Sequence, residues 1–510
     1  MALSTTRLPP IVPGPLKVKP RARNTVVHPF DPVDNNASIW FPQLIGRSSV
    51  RAPNEVVPYI DGHDAFRDIV SAIRTAKRPG HFIYLVGWRM VHNFPLIDGD
   101  SGTTIESLFK AASARNVDIR VILYHQFTPL SKEDNTDSIN FIAQLPTGKA
   151  IHDDRVVRGG LLARLIAPYL GVHHQKFLLV NGEEGLIAFQ GGMDINVDRL
   201  HFPDATNPFG LHDVHTRIRG LGAASLFESF VERWKDHPAS SKFAPIPNQV
   251  IEPANVTDDL QVEVGLTYPN SNEHTLFGGG GPYHFAASGE QSVKALVLNG
   301  ISQSKKFIYI EDQYLFDMGI SNALKAALPR LKKLIILITA PVQAVDQLQP
   351  VRRRKEFINN LTGGAQLPTD KVIVCENASG GGKVPFVHSK TFIFDDKFAI
   401  VGSANLNRRG YTHDSEQNAG IFDTNKKKRF FFAHELRMNL WGKILGKRPI
   451  DMVDPIASSV HWTKPIGAIK TYDVNQKEPR GDTFLAKVAD DLPGPLKDQL
   501  WDDGIDPDGS

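Results

Sequence analysis

One cysteine in 510 residues, Cys375, excludes an intramolecular disulfide and any zinc site built on cysteine. Nowhere does the chain carry the run of about 18 apolar residues that spans a bilayer as a helix. A net charge of only +3 excludes a general polyanion-binding surface, so any basic patch has to be local. The first stretch, MALSTTRLPPIVPGPLKVKPRARN, lacks the apolar core of a secretory signal. Its prolines and Arg7, Lys17, Lys19, Arg21 and Arg23 read as an extended arm over residues 1–54. The glycine run in NSNEHTLFGGGGPYH lacks the Lys-Ser/Thr of a phosphate-binding loop and reads as a surface connection. The expected setting is the cytoplasm or a membrane surface, with export without a cleaved signal as the other reading.

What the chain does have is a repeat. VHHQKFLLVNG contains His174-x-Lys176, and 214 residues later VHSKTFIFDD contains His388-x-Lys390. The surrounding segments repeat in the same order. AIRTAKRPGHFIYLVGW answers GISQSKKFIYIEDQYLF, VDIRVILYHQF answers LKKLIILITAPV, and FESFVERWKD answers FAHELRMNLWGK. This period far exceeds that of solenoid repeats, so the reading is a duplicated domain. Apolar strand-like runs alternate with helix-period segments, which predicts two similar α/β-sandwich halves packed around one site at a pseudo-twofold axis. The halves are expected at 55–245 and 246–450, with Pro238–Thr257 as linker and 451–510 as an extension ending in an acidic, poorly ordered tail.

Alternate side chains of a strand share a face, so His174 and Lys176 project together, as do His388 and Lys390. Neighbouring His173 and His174 point apart, which makes them a poor metal pair. Each half then supplies a small-residue turn, GGMDIN with Asp194 and Asn196, and GSANLN with Ser403 and Asn405. Each also supplies an acid, in HDVH and HDSE; Asp213 is expected to face His174 and Glu416 to face His388, fixing the imidazole tautomers. Joined across the axis, the half-sites give two histidines, two lysines and amide-type groups. Lysines and amides can neutralise a phosphodiester without metal or other cofactor, with Lys176, Lys390, Asp194, Asn196, Ser403 and Asn405 as the phosphate-binding set. One histidine can attack phosphorus while the other protonates the departing alcohol. A single half-site cannot supply both roles.

These residues resemble the phospholipase D superfamily, whose signature is His-x-Lys-x4-Asp followed by Gly-Ser-x-Asn. The second copy matches throughout at His388, Lys390, Asp395, Gly402, Ser403 and Asn405, whereas the first has Asn181 for the aspartate and Gly192 and Asp194 in the turn. Flanking stretches such as HDVHTRIRG, FVERW, FIYIEDQY and ELRMNLW resemble the eukaryotic-type branch. The resemblance covers about residues 55–450. It implies metal-independent hydrolysis of glycerophospholipids to phosphatidic acid, phosphatidyl transfer to alcohols, and His174 as the nucleophile. The implied partner is a phospholipid surface or micelle; neither nucleic acid nor an obligate protein partner is expected. The arm is too short for a C2, PX or PH module. Altered support at Asn181 is expected, without loss of activity.

Trp88 and Gln313 close corresponding strands and are pocket candidates. Arg352–Lys355 and Lys426–Arg429 read as solvated basic clusters with anionic headgroups as the alternative, and LLARLIAPYLGV as either core or an apolar rim. A nuclease or other phosphodiesterase of the same superfamily is the competing function, and a non-catalytic binding module the third reading.

Overall fold

The computed structural model describes residues 37–42, 49–125, 135–153, 173–200, 210–247, 256, 258–270, 283–339, 350–377, 386–424, 431–465, 469–475 and 495. The first half contributes β1 (Asn54–Ile60), β2 (Phe82–Gly87), β3 (Asp118–Tyr124), β4 (Gly148–Asp153), β5 (Phe177–Gly182), β6 (Gly185–Gly191), β7 (Leu211–His212) and β8 (Val214–Gly220). The second contributes β9 (Leu260–Asn270), β10 (Ser288–Gln291), β11 (Phe307–Asp312), β12 (Lys333–Thr339), β13 (Val372–Asn377), β14 (Phe386–Val387), β15 (Thr391–Phe394), β16 (Phe398–Gly402), β17 (Glu416–Asp423) and β18 (Ile469–Thr471).

The first sheet has the order β1-β8-β6-β5-β2-β3-β4. The second repeats that order as β9-β17-β16-β15-β11-β12-β13, extended by β10 and β18 at its edges. In both, the strand after His-x-Lys runs antiparallel to its neighbour (β5 on β2, β15 on β11), while β2-β3-β4 and β11-β12-β13 are parallel. The duplication read from the sequence is therefore a duplication of topology.

Both faces of each sheet are covered, which is why the central strands are almost continuously apolar. Along β2, Phe82, Tyr84 and Val86 enter a layer between the two sheets, while Ile83 and Leu85 meet the helices Gly62–Arg74 and Ile105–Ser113 outside. β11 behaves alike: Phe307 and Tyr309 point inward, and Ile308 and Ile310 pack on the helices Ser292–Gln303 and Met318–Ala327. The central layer also holds the helices Leu221–Asp236 and Phe432–Leu445, whose Trp234 and Trp441 are the repeated tryptophans.

Three features depart from the sequence reading. Trp40 and Phe41 of the supposed arm are buried, and Trp40 stacks on Phe398 of the second half with ring centroids 5.7 Å apart. Beyond residue 450, Trp462 enters the central layer and β18 pairs with β13. Arg354 is no solvated cation: it is buried, and its guanidinium donates to the carbonyls of Gln313, Tyr314 and Thr339. The Lys426–Arg429 cluster, residues 161–172, the glycine run and the acidic tail lie outside the described residues.

Candidate active site

The two sheets meet through short, crossed pairings. β14, which leads into His388, runs parallel to β7 of the other half, pairing Val387 with His212. The equivalent bridge joins His173 to Ser415. The His388 backbone N–H accordingly donates to the His212 carbonyl at 2.8 Å, and that of His174 to the Ser415 carbonyl at 3.0 Å.

This crossing decides which acid serves which imidazole. Asp213 follows His212 and so arrives at His388, its Oδ2 2.7 Å from Nδ1. Glu416 follows Ser415 and arrives at His174, its Oε1 2.8 Å from Nδ1. The expected couples within each half are thus replaced by couples between halves. Neither half by itself pairs its His-x-Lys histidine with its carboxylate, so the site exists only when the halves are docked. The carboxylates are the buried ends, at 0–1% side-chain exposure against 11–13% for the rings. With Nδ1 committed to the acid, Nε2 of each ring is the nitrogen left for chemistry.

Lys176 and Lys390 are buried, and each Nζ donates to the carbonyl of the histidine two residues before it, for Lys176 at 2.9 Å. Trp88 and Gln313 occupy equivalent places just beyond β2 and β11. The Trp88 ring lies edge-on to His174, centroids 6.4 Å apart, with Lys176 Nζ 5.9 Å from its centroid. Gln313 Oε1 accepts from Lys390 Nζ at 3.4 Å.

The small-residue turns play other parts than expected. Asp194 is a carboxylate whose Oδ1 accepts from the backbone of Trp88 and Arg89, both at 3.0 Å, while Oδ2 lies 3.4 Å from Lys176 Nζ. It is the counterion of a lysine, and an anion so placed repels phosphate. Asn196 Oδ1 accepts from Val197 N, and its amide donates to Asp198 at 3.2 Å, capping the short helix Val197–Arg199. Ser403 Oγ donates to Glu416 Oε2 and accepts from Gln417 N at 3.0 Å, so it braces the acid. The equivalent Gly192 leaves room for Asp213, because a Cβ there would collide with its carboxylate. Asn405 is buried and its acceptor Oδ1 has no hydrogen-bond partner; only its donor end, Nδ2, suits a phosphate oxygen.

The signature aspartate is a fold residue. Asp395 accepts from the backbone N–H groups of Lys305, Lys306 and Phe307 at 2.6–2.8 Å. Asn181 instead continues β5 into the hairpin with β6, opposite Leu186. Its departure from the signature is thus remote from the chemistry.

Sequence reasoning passed over Arg199. It is buried, with Nη2 3.5 Å from Asp194 and Nη1 3.9 Å from Asp213, and Nε and Nη1 have no hydrogen-bond partner. Counting from the equivalent caps Asn196 and Asn407, its counterpart in the second half is Gly410. An unmatched arginine inside a repeated turn was the available signal.

Electrostatics follow from burial beside two lysines. Burial, then Lys176 and Lys390, hold His174 well below its ordinary value; burial, then Lys390, Arg199 and Lys176, do the same to His388. Burial lowers Lys390 to about 8 against the pull of Asp213 and Asp312. Burial and the Asp414 carboxylate push Glu416 up to about 8, against Lys176 and the Ser403 hydroxyl. Before a phosphate enters, the site thus holds neutral imidazoles among cations, and the incoming anion favours protonation. The pH dependence follows. The acid limb of kcat/KM should lie below pH 6.5, where the depressed imidazoles finally charge. The alkaline limb should fall as pH rises through about 8, where Lys390 loses its proton. Steady-state kinetics across pH 5–10 checks both limbs.

Residues 297–433 match the family model described as "Cardiolipin synthase, PLD-like domain". The chain is 23% identical over 534 residues to phospholipase D alpha 1 of Cynara cardunculus, across 76% of this chain and 64% of that protein. These matches join the two crossed His-x-Lys half-sites to one family. The chain belongs to the phospholipase D superfamily. It is also 23% identical over 385 residues to cardiolipin synthase of Listeria monocytogenes serotype 4a (strain HCC23), across 72% of this chain and 66% of that protein. Equal identity to both does not single out the eukaryotic-type branch. The chain spans just under two thirds of the length of these superfamily relatives. The crystal structure of phosphatidylserine synthase from Haemophilus influenzae Rd KW20 shares the fold, with a TM-score of 0.53 over 87% of this chain and 92% of that one at 14% identity.

Proposed function

We propose that the protein is a phospholipase D that hydrolyses glycerophospholipids to phosphatidic acid and passes the phosphatidyl group to alcohols. The observation that carries this reading is the pair of crossed histidine–carboxylate couples flanked by Lys176 and Lys390. His174 Nε2 attacks phosphorus and the P–O bond to the head group breaks, its alkoxide taking a proton from His388. His388, now neutral, removes a proton from water or an alcohol, which attacks phosphorus and releases His174 as the P–N bond breaks. Lys176, Lys390 and the Asn405 amide bear the phosphoryl charge, and Asp213 and Glu416 hold the ring tautomers. The lipid substrate rests on similarity to phospholipase D alpha 1 and cardiolipin synthase.

Among the described residues, no group of three or more His, Cys, Asp or Glu is arranged to hold a metal ion, and no helix is long and apolar enough to cross a membrane. Because Lys176 and Lys390 bear the phosphoryl charge in this reading, turnover should be unaffected by excess chelator on uncharged mixed micelles. Activity lost to chelator and restored by stoichiometric zinc or calcium contradicts it.

The test is incubation with phosphatidylcholine micelles, with and without ethanol. Phosphatidic acid alone, then phosphatidylethanol at its expense, is the expected result, because a phosphohistidine can be intercepted by any small alcohol. Parallel incubations with phosphatidylglycerol and with single- and double-stranded DNA cover the other superfamily activities. Cardiolipin and glycerol from phosphatidylglycerol, with phosphatidylcholine untouched, would assign lipid-to-lipid transfer. Cleavage of DNA alone would assign a nuclease.

A further inference from the structure

Directly behind the His388–Asp213 couple lies a third histidine that the chemistry above does not use. His212 is buried, and each ring nitrogen faces a carboxylate: Nδ1 lies 2.9 Å from Asp61 Oδ1 and Nε2 3.1 Å from Glu311 Oε2. A neutral imidazole has one N–H and satisfies one such acceptor; only the imidazolium donates to both. The two acids come from different halves, Asp61 from just past β1 and Glu311 from β11. Each is anchored in turn. Lys443, from the second-half helix Phe432–Leu445, reaches Asp61 Oδ2 at 2.5 Å, and the Tyr309 hydroxyl donates to Glu311 Oε1 at 2.7 Å.

The network grips the catalytic couple at its backbone. The Asp61 N–H donates to the Asp213 carbonyl at 2.8 Å, while Asp61 Oδ1 accepts from the Asp213 N–H at 3.2 Å. The His212 carbonyl accepts from the N–H groups of His388 and Ser389 at 2.8 and 3.1 Å. Asp213 and His388 therefore hang from one buried unit. Strand register puts Ser415, Val86 and Thr267 where this unit has His212, Glu311 and Asp61. We propose that His212 is a positioning residue for His388: a permanent imidazolium, clamped by one carboxylate from each half, that locks the docked halves and sets the Asp213 carboxylate against the His388 ring.

The charges facing His212 are consistent with this. Burial opposes its protonation, but Glu311 and Asp61 outweigh burial and raise it to about 10. Asp61 is held below the usual carboxylate range because His212 and Lys443 outweigh its own burial. The stabilisation is fully present below pH 6.5 and is lost as pH rises through about 10.

The alignment role rests on the two-histidine reading, whereas the charge state of His212 can be read without any activity. Full-length protein with ring-15N histidine, followed by NMR, should show one imidazolium persisting at pH 8.5 that is missing in His212→Gln; a neutral ring there overturns the proposal. Glu311→Gln preserves shape but removes one clamp, so the His212 titration should move below 10. The kcat of this variant should then acquire an alkaline fall that tracks the NMR titration. His212→Gln should lower kcat by about 10–100-fold with KM little changed, as losses of supporting partners do. Wild-type kcat in His212→Gln, or a Glu311→Gln profile that ignores the His212 titration, overturns the alignment role. Inactivity of the wild-type protein toward phosphodiesters, with the imidazolium present, would instead remove the enzyme reading and the alignment role while leaving the clamp.

Discussion

His174→Ala and His388→Ala each lower kcat by about 10⁶, and the double variant is no worse than either single one. Residues that act as one chemical unit behave this way: once either half of the relay is gone, the other has nothing to work with. Here the unit spans the duplication, since each imidazole carries a role that the other cannot fill in the same step. Both side chains are mostly buried, at 11% and 13% exposure, so a thermal melt of each variant is needed to separate lost chemistry from lost fold. A single variant retaining a tenth of wild-type kcat would show that one half-site suffices, and the role assigned to the duplication would be wrong.

Asp213→Asn and Glu416→Gln give the second large loss, about 10²–10⁴ in kcat, as when other carboxylate–histidine couples lose their acid. The crossing makes this specific. Asp213→Asn should perturb the ring of His388, 2.7 Å away, and leave His174 alone; Glu416→Gln should do the reverse, at 2.8 Å. Ring-15N spectra of the two variants distinguish this from pairing within each half. Glu416→Gln also replaces the carboxyl to which the Ser403 hydroxyl donates. Near-normal turnover in both variants would mean that neither acid supports a catalytic imidazole.

The fold was legible in the sequence because strand and helix periodicities repeat in order, and a buried sheet demands apolar runs such as FIYLVG and KLIILIT. The histidines and lysines were legible because His-x-Lys occurs twice, at the mouth of corresponding strands. The pairing of acids with histidines was not. It depends on β7 lying beside β14 and on His173 bridging Ser415, contacts between segments far apart in the chain that no local pattern encodes. The turns misled for a similar reason. Asp194 and Asn196 sit where a phosphate-binding amide was expected, yet backbone geometry turns one toward Lys176 and the other onto its own helix cap. Arg354 looked like part of a solvated run, but its carbonyl partners lie just after β11 and at the end of β12, and only the folded chain brings them together.

The central claim is a phosphohistidine formed in a site that the two halves build jointly. It is tested most directly by mixing wild-type enzyme with phospholipid labelled at phosphorus, quenching in acid-free denaturant during turnover, and mapping the label by peptide. The account predicts label on His174, none in His174→Ala, and accumulation in His388→Ala when the leaving group needs little protonation. Turnover at the wild-type rate with no label on the peptides carrying His174 or His388 would contradict it.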